Sequence, residues 1–291
     1  MHKSKVEDTY FQGKSSIRLG DISLDLTRPI VMGILNVTPD SFYADSRRSS
    51  DDDLLQEAAE MIQDGATILD VGGYSSRPGA TNISVQEEID RIIPAIQLLK
   101  QELDNPIISV DTFRSEVAEE ALKSGVQIIN DISGYQIDKK LFSVLQKYKP
   151  AYILMHMRGT PQTMKELTDY PVGVTNEVLE YFRLKLAELD AAGISEVIVD
   201  PGFGFSKTTE QSHELLSELN EFHSLNKPIL AGVSRKSMIY KRLGIKPEEA
   251  LNGTTALNAI ALAKGAKILR VHDVKPAAEI IRLLFGSDKQ I

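Results

Sequence analysis

The sequence predicts an α/β fold, a single closed (β/α)8 barrel fronted by a short N-terminal β-hairpin. Three observations predict it. First, eight short aliphatic runs lie near 30–35, 67–72, 107–111, 127–131, 151–156, 197–200, 228–233 and 267–271, separated by amphipathic helical stretches. Second, the odd-numbered runs are approached through Pro29, Pro106, Pro150 and Pro228, and the even-numbered ones through Gly65, Gly125, Gly193 and Gly265, each ending a helix. Third, nearly every run closes on a polar residue. Eight parallel strands, each followed by a helix, make the closed barrel. An open doubly wound sheet is the competitor, but no G-x-G-x-x-G follows the first run.

From the amino end, Glu7–Gly13 (E-D-T-Y-F-Q-G) resembles a protease-tag remnant. Residues 1–14 are therefore expected to be disordered or tag-like, and 15–291 to form the barrel domain. The polar start Met1–Asp8 does not read as a signal peptide. Ile17, Leu19, Ile22, Leu24 and Leu26 alternate around Gly20-Asp21, the pattern of a hairpin whose glycine opens a two-residue turn. Further on, S-V-Q-E at Ser84 reads as a capping box. It starts a helix with Ile89, Ile92, Ile93, Ile96 and Leu99 on one face, which Pro94 should kink. A later helix carries Val178, Leu179, Phe182, Leu186 and Leu189, and another Leu215, Leu216, Leu219 and Phe222.

At 291 residues, 42% hydrophobic and 25% charged, the chain can bury a full core. It has no cysteine, which excludes disulfides, thiolate nucleophiles and cysteine-ligated metals and suits the cytoplasm. A net charge of −8 without a basic block argues against nucleic acid as a partner. No apolar run reaches membrane length.

In such a barrel the functional site forms at the carboxyl ends of the strands. Those positions read Asn36, Gly72-Gly73, Asp111, Asn130-Asp131, His156, Asp200, Ser234 and Arg270. The most telling stretch is E-V-I-V-D-P-G-F-G-F-S-K, where a buried run ends on Asp200 and breaks into a glycine-rich loop. An unpaired charge there is costly, so Asp200 either caps its own loop or faces a ligand. The same design at the other strand ends favours the ligand. Asn36 suits an anion or a hard cation with phosphates, and almost equally an Asx-turn. Gly72–Ala80 (G-G-Y-S-S-R-P-G-A) has the composition of a mobile, phosphate-compatible loop.

One of Asp131 and Ser133 is expected to bond loop backbone. His156, between Met155 and Met157, reads more as a packed wall than a catalyst. With no second histidine or carboxylate at ligand spacing, zinc is rejected. Lys236 in Ser234-Arg235-Lys236 is a candidate that any surface helix start would also produce. Arg270 and His272, two apart on a strand, face the same side. Together the rim holds aspartates that pair with N–H edges and cations that pair with anions and stack on flat rings. A fused amino-heterocycle carrying phosphates satisfies both.

In their order, M-G-I-L-N-V-T-P-D-S-F, S-S-R-P-G-A, V-D-T-F-R, I-N-D-I-S-G, M-H-M, D-P-G-F-G-F, S-R-K-S and R-V-H-D-V resemble the dihydropteroate synthase family from Ile30 to Leu284. The resemblance implies a transferase that joins 7,8-dihydropterin-6-ylmethyl diphosphate to 4-aminobenzoate and releases pyrophosphate with Mg2+ assistance, commonly as a homodimer. By residue, it implies a pterin pocket of Asp111, Asn130, Met155, Asp200, Lys236 and Arg270. Asn36, Arg270 and His272 would hold the diphosphate, with Asn36 the residue toward the metal. Phe42, Ser76, Pro78, Phe205, Ser234 and Lys236 would form the aminobenzoate site, and Arg77 would help order the loops. Asp111, Lys236, Arg270 and His272 are the expected catalytic set. If the C–O bond to diphosphate breaks first, buried carboxylates stabilise the cation that develops on the pterin methylene. An arylamine then needs no strong general base.

Two departures from the family pattern stand out. Tyr74-Ser75-Ser76-Arg77 replaces the usual Glu-Ser-Thr-Arg, and Phe42-Tyr43-Ala44-Asp45-Ser46 lacks the usual glycines. Both bear on loop closure and sulfonamide sensitivity. A pterin-binding methyltransferase of the same fold is the alternative enzyme, opposed by the S-S-R-P-G loop, the Phe42 loop and S-R-K-S. A non-catalytic pterin-binding module is the alternative outside catalysis, opposed by the presence of Asp111, Lys236 and Arg77.

Overall fold

The computed structural model describes residues 14–37, 47–74 and 83–286. The hairpin pairs β1 (Ser16–Leu19) with β2 (Ile22–Asp25), Leu19 opposite Ile22, and Gly20 opens the turn at φ +61°. Ile17, Leu19, Leu24 and Leu26 bury against Met32, Ile68, Ile128, Ile153, Ile198, Leu230 and Ile268 inside the barrel. The hairpin thus plugs the amino end of the strands. Ile22, grouped with these residues by alternation, instead lies at the hairpin tip, 46% exposed.

The barrel strands are β3 (Ile30–Asn36), β4 (Ala66–Gly72), β5 (Ile107–Asp111), β6 (Ile128–Asp131), β7 (Ala151–Met155), β8 (Val197–Asp200), β9 (Leu230–Ala231) and β10 (Ile268–Val271). They form one sheet in the order β8-β7-β6-β5-β4-β3-β10-β9, parallel throughout. A parallel bridge between Val199 and Ile229 joins its two edges, with Val199 N–H donating to Pro228 O at 2.9 Å. The seventh barrel strand is shorter than its aliphatic run. After Ala231 the chain leaves the ladder for a tight turn, in which Lys236 N–H donates to Val233 O.

Helices α1 (Arg47–Asp64), α2 (Val85–Glu102), α3 (Ser115–Lys123), α4 (Lys140–Tyr148), α5 (Val174–Ala191), α6 (Thr209–Ser217), α7 (Ser237–Leu243), α8 (Leu251–Ala263) and α9 (Val274–Phe285) lie between and after these strands. Ser84 caps α2 by accepting the Glu87 N–H at 3.0 Å. The Glu87 carboxylate, due to return that bond, instead pairs with Arg91 at 2.5 Å. α2 continues through Pro94. The helix expected to span Leu215–Phe222 ends at Ser217, and a 3-10 turn over Leu219–Leu225 buries Leu219 and Phe222.

Outward strand residues such as Leu69, Val71, Ile108, Val110, Leu269 and Val271 join the helix faces in the main core. Gly65, Gly125, Gly193 and Gly265 all have positive φ. At Gly65 a Cβ would stand 2.9 Å from the Ala278 Cβ, so the approach of α9 requires glycine there.

Candidate active site

Alternation along each strand puts Asp70, Gly72, Asp111, Asn130, Met155, Asp200 and Arg270 inside the barrel, above the apolar plug. Arg270 is the hub of this set. Its Nε donates to Asp70 Oδ2 and its Nη2 to Asp111 Oδ2, each at 2.6 Å. Asn130 Nδ2 donates to the same Asp70 oxygen at 3.0 Å. Burial opposes the charge on Arg270, but Asp70 and Asp111 outweigh it and hold the guanidinium protonated. Asp111 is the more exposed of the two carboxylates. Burial pushes it up to about 7, against the pull of Arg270 and with the help of the charges on Asp70, Glu88 and Asp131.

Two glycines connect the remaining members. A Cβ on Gly72 would lie 3.7 Å from both Asn36 Oδ1 and Asp111 Cβ. A Cβ on Gly232 would lie 3.7 Å from Lys236 Nζ, 3.8 Å from Asp200 Oδ2 and 4.0 Å from Arg270 Cβ. Residues from several strand ends thus border one space, with Gly72 and Gly232 in its floor. Burial raises the Asp200 carboxyl, opposed by Lys236 and by the Gly202 N–H, which donates to it at 2.8 Å. Burial lowers Lys236 to about 8 against the attraction of Asp200.

Lys236 Nζ donates to Phe203 O at 2.8 Å and lies 4.7 Å from the centre of the Phe205 ring. Arg235, at φ +52°, takes Asp273 with both Nε and Nη2 and reaches Glu248 O through Nη1, bracing the turn before Lys236. Ser234 Oγ sits 3.0 Å from His272 Nδ1. One wall is apolar, made of Ile132, Met155, Met157 and Met164 with Phe113 and Phe205 against them. Asn36 is exposed at the rim.

A mouth of opposed charges around a glycine floor, beside a methionine wall, suits a small, flat, polar ligand carrying negative groups. The family described as pterin binding enzyme matches residues 32–272. The dihydropteroate synthase of Escherichia coli (strain K12) is 46% identical over 264 residues, covering 90% of this chain and 93% of that protein. The chain belongs to the dihydropteroate synthase family of transferases. A crystal structure of the Yersinia pestis dihydropteroate synthase with a sulfonamide drug complex superposes with a TM-score of 0.86 at 39% identity, covering 92% of this chain and 98% of that one. The Thermus thermophilus synthase in complex with 4-aminobenzoate gives a TM-score of 0.82 at 36% identity, covering 92% and 98%.

Of the residues that the synthase resemblance pointed to, Asn36, Asp111, Asn130, Met155, Asp200, Phe205, Ser234, Lys236, Arg270 and His272 gather at this mouth. Phe42, Ser76, Arg77 and Pro78 lie outside the described residues. Asp131 proves structural, accepting from the Ser133 and Tyr135 N–H groups and from the Ser133 and Tyr152 hydroxyls. His156 is walled in, edge-on to Tyr181. Burial and then the charge of Lys207 push its pKa well down, so it stays neutral.

Asp70 escaped the sequence reading because it lies inside the run I-L-D-V-G rather than at its end. The available signal was period two, since Asp70 shares a face with Gly72. Tyr74, where the synthase family usually has Glu, meets Phe113 edge-on with centroids 5.3 Å apart, and its hydroxyl accepts from Gln162 Nε2 at 3.3 Å. The substituted ring is thereby built into the wall.

Proposed function

We propose that this chain condenses 7,8-dihydropterin-6-ylmethyl diphosphate with 4-aminobenzoate, giving 7,8-dihydropteroate and pyrophosphate. The observation that carries this reading is the Arg270 bridge between Asp70 and Asp111, with Asp200 and Lys236 completing the same mouth. Asp111 and Asp200 would accept the N–H edge of the pterin, Lys236 and Asn130 would bond its polar atoms, and Met155 would line its face. To bind, the ring must share Asp111 with Arg270 Nη2. The Nε bond to Asp70 keeps the guanidinium over the site meanwhile.

As the C–O bond to diphosphate breaks, cationic charge grows on the methylene above Asp111, and the departing anion meets Arg270 and His272, whose ring Ser234 braces. The arylamine, stacked near Phe205, attacks the methylene with its own lone pair, and the proton its nitrogen then sheds passes to the departing pyrophosphate or to water. Asn36, an exposed residue, offers one amide oxygen, and among the described residues no three of His, Cys, Asp or Glu cluster to hold an ion. A single neutral oxygen fits Mg2+ that takes its other ligands from diphosphate and water. Held there, the ion would offset charge on the leaving group.

The test is pyrophosphate release from purified protein. Release that requires both substrates supports the reading. Release with the pterin diphosphate alone would indicate a hydrolase, and none at all would overturn the assignment.

Assembly and location belong to the same reading. Ala256, Ile260 and Ala263 form an exposed apolar stripe on α8, with exposed Leu243 and Leu251 nearby, which supports pairing of two copies. Light scattering at micromolar concentration would read this directly. Among the described residues no helix is long and apolar enough to cross a membrane. With the lack of cysteine, this favours a cytoplasmic enzyme.

A further inference from the structure

We infer that Lys207 is a positioning residue for this site, an internal tie between the loops after β7 and β8 that sets where Lys236 and Phe205 stand. The inference rests on the synthase reading for its main assay. Lys207 is buried to 7% exposure, so it is shielded from solvent. Its Nζ lies 2.9 Å from His156 Nδ1 and donates to Phe205 O at 2.9 Å, Gly202 O at 3.1 Å and His156 O at 3.3 Å. Burying an amine this deeply is costly unless its bonds are made, and here all of them go to two loops.

The loop after β8 has no strand ladder. Gly202, Gly204 and Ser206 are all left-handed, at φ +72°, +79° and +50°. The segment is held by a Phe205 N–H to Gly202 O turn at 3.1 Å, by the Arg158 N–H and the Tyr170 hydroxyl on Ser206, and by Lys207. It is also pressed against its neighbour, because a Cβ on Gly202 would fall 2.2 Å from His156 O. The carbonyls of Gly202 and Phe205 go to Lys207, while the carbonyl between them, on Phe203, accepts from Lys236 Nζ at 2.8 Å. Phe205 also supplies the ring beneath Lys236. Two lysines therefore grip one short loop, Lys236 within the site and Lys207 behind it. The far side of the tie is rigid in turn. The His156 ring is packed edge-on to Tyr181 at 4.9 Å, and the His156 backbone N–H donates to Asp200 O at 3.1 Å.

Lys207 acts on Lys236 through the Phe203 carbonyl and the Phe205 ring beneath it, so most of the effect of its loss should depend on Lys236 being present. The test is a double-mutant cycle on pyrophosphate release with both substrates, with thermal unfolding as the control for folding. Lys207→Met should lower kcat/KM by ~10²-fold, the size expected for a misplaced site group. In a Lys236→Ala background the same change should cost about tenfold less, the remainder acting through Phe205 alone. An equal factor in both backgrounds, or an unchanged kcat/KM, would overturn the inference. Should Lys207→Met fail to fold, Lys207→Gln, which keeps one donor group, carries the same cycle. A wild-type protein that releases no pyrophosphate would sink the synthase reading instead. The cycle would then be read from pterin affinity by fluorescence quenching, with the same non-additivity required.

Discussion

Arg270 Nε meets the fully buried Asp70 Oδ2 at 2.6 Å, although 200 positions separate the two residues in sequence. Asp70 lies a layer below the mouth, so it fixes the guanidinium from beneath while Nη2 stays at ligand level. Asp70→Asn keeps the shape and removes the charge. It should cost about 1.5–3 kcal/mol in chemical denaturation, the range for a hydrogen bond to a charged group. It should also lower kcat/KM by ~10²-fold as Arg270 drifts. Unchanged kinetics would mean that Arg270 is held by Asp111 alone.

Asp111 is the carboxylate nearest the proposed cation. Asp111→Ala should slow the chemical step by ~10²–10³, as for the loss of one preorganised charge elsewhere. A single-turnover assay isolates that step. Near-normal chemistry in it would remove Asp111 from the mechanism and leave it as a binding residue only.

The pH profile should be a narrow bell. Below about 7 Asp111 takes up a proton and can no longer accept two N–H bonds, so kcat/KM for the pterin diphosphate should rise as pH climbs through that value. Above about 8 Lys236 loses its proton, and kcat/KM should fall. Asp111→Asn should abolish the acidic limb and leave the alkaline one. An acidic limb that survives this change would belong to a group other than Asp111.

The two ends of the barrel should respond differently to mutation. Leu26 is fully buried in the hairpin plug, far below the charged layer. Leu26→Ala should lower stability by about 2–5 kcal/mol. The folded fraction should keep its kcat, as active-site titration against pyrophosphate release would show. A large loss of kcat would mean that the plug shapes the mouth above it.

These contrasts show which parts of the molecule were legible in sequence. Asp111, Asn130, Asp200 and Arg270 close or nearly close aliphatic runs, and a polar residue in that position advertises itself. Asp70 sits inside its run, where a lone charge is visible but its partner is not, because the pairing with Arg270 depends on barrel closure. Lys207 reads as an ordinary loop cation after Phe205-Ser206. Only the fold shows three left-handed residues pressing that loop against His156. The seventh strand reads as six residues because apolarity continues past Ala231, while the backbone turns away to present Ser234 and Lys236.

The central claim is that carboxylates and cations from distant strands grip one small molecule between them. A crystal structure with a pterin bound tests it most directly. The account predicts the ring edge within hydrogen-bond distance of both Asp111 and Asp200, with the Arg270 guanidinium across its face. A pterin bound elsewhere, or touching only one of those carboxylates, would contradict it.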